Sequence, residues 1–331
     1  MRYQPYHTLH ATPNVIVDGS PTDGTALTIT HWPGYPPPEP IADDLSAQMA
    51  FRLLEHPDLV PAGVDAVSNN HFDQDGLVSI YALVAPEDAQ ARRQLLEDVA
   101  AAGDFATFQT RDAARLSMVL AACARGDDDL VAGLPADYAE RTATLYGELL
   151  GRLPELCTHI DRYRRWWGEE DATLGVSIDA IERGVVGIEE APDIDLAIVT
   201  VGAGAPTGGG HRFGHDWVDG LHPMAVCGAT QRLVVATIRD GSYQVELRYE
   251  SWVQLRSRPA RLRRDLVPLA ARLQDDERGD VIWHADRVGS LTPRLTASGA
   301  TSIPPAMFLA TLTDHLRTAP AAWDPFDVRS G

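Results

Sequence analysis

The stretch Asn69-Asn70-His71-Phe72-Asp73-Gln74-Asp75-Gly76 sets an imidazole, two carboxylates and a glycine behind the short run Val64 to Val67. If that run is a strand, His71, Asp73 and Asp75 share one parity along it. The chain then turns at Gly76 into the helix-like Leu77-Val78-Ser79-Ile80-Tyr81-Ala82-Leu83-Val84. Polar groups at a strand-to-helix handover lie at the carboxyl edge of a sheet, where α/β proteins place their chemistry. Two aspartates this close repel unless they are solvated, hydrogen-bonded or shared by a cation, and a divalent metal resolves that conflict. The alternative is a solvated Asx-turn cluster that caps the helix.

A second constellation is Gly208-Gly209-Gly210-His211-Arg212-Phe213-Gly214-His215-Asp216-Trp217-Val218-Asp219-Gly220-Leu221-His222. His211 and His215 are candidates for proton transfer and Arg212 for receiving charge, with Asp216 and His222 as further candidates. Glycine lets the backbone approach an anion closely. The expectation is that this loop faces residues 69–76 across a cleft. His31, at the end of an expected strand beside Trp32, is a weaker candidate for the same sheet edge. Asp44 and Ser46 read as helix caps. Arg162, Arg164 and Arg165, before Trp166-Trp167, read as a helix surface with aromatic contacts. Arg256, Arg258, Arg261, Arg263 and Arg264 form the densest basic stretch and suit either an anion or surface carboxylates.

The first constellation resembles motif I of the DHH phosphoesterase superfamily, which includes RecJ-like nucleases, oligoribonucleases and family II pyrophosphatases. The matching positions are His71, Asp73 and Asp75, with Gly76 and Ser79 in the turn and helix. The resemblance implies a manganese or magnesium site at a strand end, with Asp104 of Gly103-Asp104-Phe105 as the aspartate of a second motif. It also aligns Gly208-Gly209-Gly210-His211 with the glycine-rich element of the superfamily's carboxy-terminal substrate domain, earlier in the chain than usual. No Asp-His-His triplet is present, and the nearest stretch is His159-Ile160-Asp161. Leu27-Thr28-Ile29-Thr30-His31-Trp32 and His222-Pro223-Met224-Ala225 resemble an uncharacterised conserved family of bacterial type.

The elements that must hold these groups follow from pattern. Short strands are expected over residues 14–17 and 25–30, separated by the turn-rich residues 18–24. A helix from about Asp44 to Leu54, the strand at 64–70 and helices at 76–84, 86–103, 111–124 and about 136–167 complete a mainly parallel α/β domain over 1–188. Residues 189–331 read as a smaller α+β domain. Its antiparallel hairpin joins 232–238 to 243–249 through Asp240-Gly241, and helices lie near 262–273 and 305–317.

Composition narrows the functions. The 331 residues carry a formal charge of −19, which disfavours long nucleic acid as a partner. Lysine is absent, so all 28 basic side chains are arginine, excluding P-loop, kinase-type and Schiff-base lysine chemistry. There is no serine-nucleophile elbow, dinucleotide fingerprint or paired-cysteine motif. No apolar run reaches the roughly 18 residues of a membrane span. Cys123, Cys157 and Cys227 are scattered, as in a reduced, cytoplasmic protein. The expected function is a metal-dependent phosphoesterase or related hydrolase using manganese or magnesium on a small phosphorylated substrate or short oligonucleotide. A homo-oligomer is left open. The alternatives are a binding or regulatory protein on a degenerate fold of this kind, and a metallohydrolase of non-phosphate substrates.

Overall fold

The structure is a computed structural model that describes residues 1–126, 129–207 and 220–327. The chain divides into two compact units, Met1–Asp171 with Leu255–Arg258, and Ala172–Gln254 with Pro259–Gly331. The division falls inside a helix, ahead of the 188/189 boundary suggested by the return of strands.

In the first unit, strands β1 (Arg2–Tyr3), β2 (Asn14–Val17), β3 (Thr25–Ile29) and β4 (Ala66–Ser68) form a sheet in the order β1-β4-β2-β3. Every pairing is parallel. All of β2 and β4 is buried, as expected for parallel strands covered on both faces. The ladders set Val17 against Ile29 and Ile16 against Ser68, so β2, β3 and β4 end almost level. Around the sheet lie α1 (Ser46–Glu55), α2 (Gln74–Val84), α3 (Pro86–Ala91), α4 (Arg93–Asp104), α5 (Arg111–Arg125) and α6 (Tyr138–Thr158). Helix α2 is buried from Gln74 to Leu83, which makes it the central helix of the unit.

Two expected helices are divided. The helix over 86–103 breaks at Arg92, whose φ of −115° and ψ of 9° lie outside the helical well. The helical region over 136–167 ends at Thr158, turns through Ile160–Tyr163 and restarts as α7 (Arg164–Glu182), well beyond Trp167. Trp167 Nε1 donates to the Ile160 carbonyl at 2.9 Å, pinning that turn.

The second unit contains β5 (Val186–Ala191), β6 (Leu196–Val201), α8 (Pro223–Ala229), β7 (Val234–Arg239), β8 (Ser242–Leu247), β9 (Arg263–Arg264), α9 (Val267–Asp276), β10 (Trp283–Ala285), β11 (Arg294–Ala297), α10 (Pro305–Thr318) and β12 (Ala321–Trp323). Its main sheet runs β10-β11-β8-β7-β6-β5, with β6 and β7 parallel and the other neighbours antiparallel. Asp240 and Gly241 take φ values of 44° and 81°, the left-handed pair of a tight hairpin. Leu269, Leu273, Phe308 and Leu312 from α9 and α10 share a core with Ala236, Tyr243, Val245 and Leu295 of the sheet. Helix α9 starts later than expected because Arg263 and Arg264 pair with β12. A parallel sheet in one unit and a mixed sheet in the other place the protein in the broad α/β class.

Candidate metal centre

Three neighbouring strands of the first unit end together, and each is followed by ionisable side chains. Asp18 directly follows β2, His31 follows β3 after Thr30, and Asn69 to Asp75 follow β4. Asp104 ends α4. Two sets of potential ligand atoms result: Asp18 with His31, Asp75 and Asp104, and Asp18 with His71 and Asp73. Within each set the atoms lie within 4.8 Å of one another. His31 Nε2 is 3.7 Å from Asp18 Oδ1 and 3.5 Å from Asp104 Oδ2. His71 Nε2 is 3.4 Å from Asp18 Oδ2 and 2.8 Å from Asp73 Oδ2. The two oxygens of Asp18 therefore face different histidines.

Local structure explains how each group is held. Asp18 sits in the left-handed region at φ 47°, which aspartate tolerates, and its amide donates to the Ile29 carbonyl at 2.7 Å. Ser46 Oγ donates to Asp18 Oδ1 at 2.9 Å. The Asp75 carboxyl accepts the amides of Ser46 and Ala47 at 2.8 and 2.7 Å, so it satisfies the amino end of α1 from a distant segment. Asp73 is the N-cap of α2, with Oδ1 accepting from the Gly76 amide at 2.8 Å. The capping alternative thus holds for one face of Asp73, while its other oxygen meets His71. Strand parity plays no part, because β4 stops at Ser68 and the two aspartates lie at the start of α2. His31 Nδ1 lies 2.7 Å from the Asp44 carbonyl, which can only accept, so Nδ1 carries the proton and Nε2 presents a lone pair.

The turns leave no room for side chains. A Cβ on Gly19 would fall 2.1 Å from Asn70 Oδ1. One on Gly76 would fall 2.3 Å from Asn69 Nδ2 and 2.5 Å from the Tyr146 hydroxyl. That hydroxyl donates to the His71 carbonyl at 2.9 Å, and Trp32 stacks on the His71 ring with centroids 5.2 Å apart.

Asp18, His31 and Asp75 are buried, whereas the side chains of His71 and Asp73 are 20 % and 30 % exposed, so solvent reaches the centre from their side. Asp18 Oδ2, Asp104 Oδ2 and His71 Nδ1 are buried without a hydrogen bond among the described residues. Burial and then neighbouring carboxylates raise Asp18, Asp75 and Asp104, the last two well above the ordinary aspartate range. Burial holds His31 below the usual histidine value. Burial also penalises charge on His71 and Asp73, but their mutual attraction prevails, raising His71 and lowering Asp73. Asp104 lies at a helix carboxyl end, where the dipole opposes an anion.

These residues fit a divalent cation. Six donors at about 2.1 Å from an ion lie about 3 Å apart when adjacent and about 4.2 Å when opposite. The 3.4 to 3.7 Å separations fall within that range and exceed most hydrogen bonds. The aspartate oxygens suit manganese or magnesium, and the two imidazoles suit zinc as well.

Of the residues singled out in the sequence, His31, His71, Asp73, Asp75 and Asp104 converge here. Asp18 escaped notice because Asp18-Gly19 reads as a turn, yet the strand-end argument applied to 64–70 points equally to the residue after β2. His222 is the buried N-cap of α8 in the second unit, its Nδ1 accepting from the Met224 amide at 3.1 Å. His211, Arg212, His215 and Asp216, with most of the 208–222 loop and its expected cleft, lie outside the described residues. His159 caps the end of α6 and Asp161 sits in the next turn, and neither joins the two sets. Arg164 and Arg165 lie over the rings of Trp167 and Trp166, as expected of a helix surface.

No described helix is long and apolar enough to cross a membrane. No curated protein and no solved structure matches the chain. The comparisons give no support for membership of the DHH superfamily. A family model, described as a family of unknown function, matches residues 1–327, and the chain belongs to that family, DUF6687.

Proposed function

We propose that the first unit is a divalent-metal-dependent hydrolase of phosphoesterase type. Its substrate would be a small phosphorylated molecule or short oligonucleotide, and its metal manganese or magnesium. The observation that carries this reading is the convergence of Asp18, His31, His71, Asp73, Asp75 and Asp104 beside one parallel sheet edge, with buried carboxylate oxygens that make no hydrogen bond among the described residues. A bound divalent cation supplies Lewis acidity toward a phosphoryl oxygen and activates water at neutral pH. Asp18 would serve both halves of the centre, and His31 would offer Nε2 from its fixed tautomer. His71, paired with Asp73 and partly open to solvent, would ligate as a neutral imidazole in the second set once metal displaces its proton. Asp73-Gln74-Asp75-Gly76 at a strand-to-helix turn keeps the resemblance to motif I of the DHH phosphoesterases within this reading. His211, Arg212 and His215 remain candidates from sequence for charge neutralisation and proton transfer.

The test is metal content and manganese titration calorimetry of the wild type and Asp18→Asn, with turnover of bis(p-nitrophenyl) phosphate and p-nitrophenyl phosphate. Specific manganese binding, manganese-dependent turnover and loss of both in the variant are expected. No specific metal in the wild type sinks the reading. A second reading, a metal-binding regulatory protein without catalysis, is favoured by the 2.8 Å His71–Asp73 pair, which already satisfies one edge of the centre, and by the missing Asp-His-His. Metal binding without turnover of phosphate esters or amides selects it, while turnover of amides alone selects a non-phosphate metallohydrolase.

A further inference from the structure

The second unit has a cavity of about 420 Å³ where β6 and β7 begin and β8 ends. Ile194, Leu233, Leu247 and Leu316 supply apolar wall. Its charged lining is Arg261, Arg263, Arg264 and Arg317 against Asp193 and Asp195. This is a local cationic excess in a chain with 47 acidic and 28 basic residues.

Both aspartates are engaged. Asp193 pairs with Arg317 at 2.9 Å, and Asp195 is shared by Arg232 at 3.6 Å and Arg261 at 4.0 Å. Arg263 is buried, and among the described residues it meets only neutral acceptors. Its Nε donates to Ser251 Oγ, Nη1 to the carbonyls of Val288 and Ser290, and Nη2 to those of Arg248 and Leu291. Those five bonds fix the guanidinium without neutralising it, and burial lowers its pKa only to about 9, so it stays charged at neutral pH. The neighbouring Arg264 is half-buried, and its guanidinium makes no hydrogen bond or ion pair among the described residues. One arginine thus supplies a fixed positive field, and another offers an open fork beside apolar wall. An uncompensated buried cation is costly, and an anion bound nearby offsets that cost.

We propose that this cavity binds a small organic anion. A phosphate or carboxylate group would be received by Arg264 and Arg261 in the field of Arg263, with a compact apolar body against Leu233, Leu247 and Leu316. Arginine forks suit both anions, and a bare inorganic ion would leave the apolar wall unused. The site draws on no residue of the metal centre.

The experiment is calorimetry on the full chain in EDTA, which silences metal-dependent binding, using phenylphosphonate and phenylacetate as probes. Inorganic phosphate and benzyl alcohol are the controls. One saturable site is expected, with at least one phenyl anion binding more tightly than either control, and the tighter of the two identifies the anion class. Arg264→Ala should weaken it about tenfold or more, the loss of a charge-assisted hydrogen bond. Arg261→Glu, at an exposed position, should also weaken it and covers the case in which the Arg264 variant does not fold. The proposal is overturned by no saturable binding of either probe, by affinities no better than the controls, or by affinity unchanged in a folded Arg264→Ala or in Arg261→Glu.

Discussion

Asp104 is a buried carboxyl at the carboxyl end of α4, among other carboxyls, with one oxygen lacking a hydrogen bond among the described residues. Helix stability does not explain it. Asp104→Asn should therefore stabilise the metal-free protein by about 1 kcal/mol, as expected when a functional residue is relieved of its cost. The same change should weaken manganese binding. Denaturant unfolding in EDTA and in manganese measures both, and a variant destabilised in EDTA would show that the carboxyl is structural. A pH profile tests the centre as a group. Asp18, Asp75 and Asp104 are raised, so their contribution to stability is complete below about pH 3.9, the unfolded value, and is lost as pH rises through their folded values. His71, also raised, loses its contribution as pH climbs above about 6.5 through its folded value. Asp73, lowered, works oppositely, and its contribution is lost only as pH falls through its folded value. Metal displaces the protons on the raised groups, so the melting-temperature gain from manganese should grow as pH rises toward their folded values. A gain independent of pH counts against direct ligation. At this scale the sequence was legible where candidate ligands crowd together. His71, Asp73 and Asp75 announced themselves by spacing, whereas Asp18 and His31 stand alone and meet the others only through strand pairing.

The elements converge because β2, β3 and β4 are parallel, adjacent and level, so whatever follows each strand arrives at one place. Two glycines permit the approach. Gly19→Ala and Gly76→Ala should each destabilise by about 1 to 3 kcal/mol, the usual cost of overpacking, because the Asn69, Asn70 and Tyr146 side chains occupy the space a methyl needs. Tyr146→Phe, which removes only the hydroxyl bonded to the His71 carbonyl, should cost about 1 kcal/mol. Thermal or denaturant unfolding measures all three, and a neutral Gly76→Ala would show that the turn relaxes freely. Apolar pattern and Asp-Gly chemistry made most strands and the β7–β8 hairpin legible. The break at Arg92 was not, because no proline or glycine marks it. Nor was the start of α9, because pairing with β12 claims Arg263 and Arg264 despite their helix propensity.

For the whole molecule, the charge of −19 predicts weak association with polyanions. In fluorescence anisotropy at about 0.15 M salt, duplex DNA of tens of base pairs should show no saturable binding, and tight binding would show a concentrated basic face that overrides the net charge. The class of fold was legible from alternation of strand and helix. The chain's return to the first unit was not, because it rests on a contact between residues far apart in sequence. The amides of Arg256 and Ser257 donate to Asp44 Oδ1 at 2.5 and 2.9 Å, and the backbone carbonyl of Asp44 holds His31. This discontinuity matters during synthesis. The first 171 residues leave the ribosome without the segment that completes their unit, whose last residue is Arg258. The intervening 258 − 171 = 87 residues take roughly 4 to 17 s at about 5 to 20 residues per second. For that interval the nascent chain holds Asp44 without the amides that fasten it, so the final setting of His31 awaits translation of Leu255–Arg258, which follows a stretch assigned to the other unit.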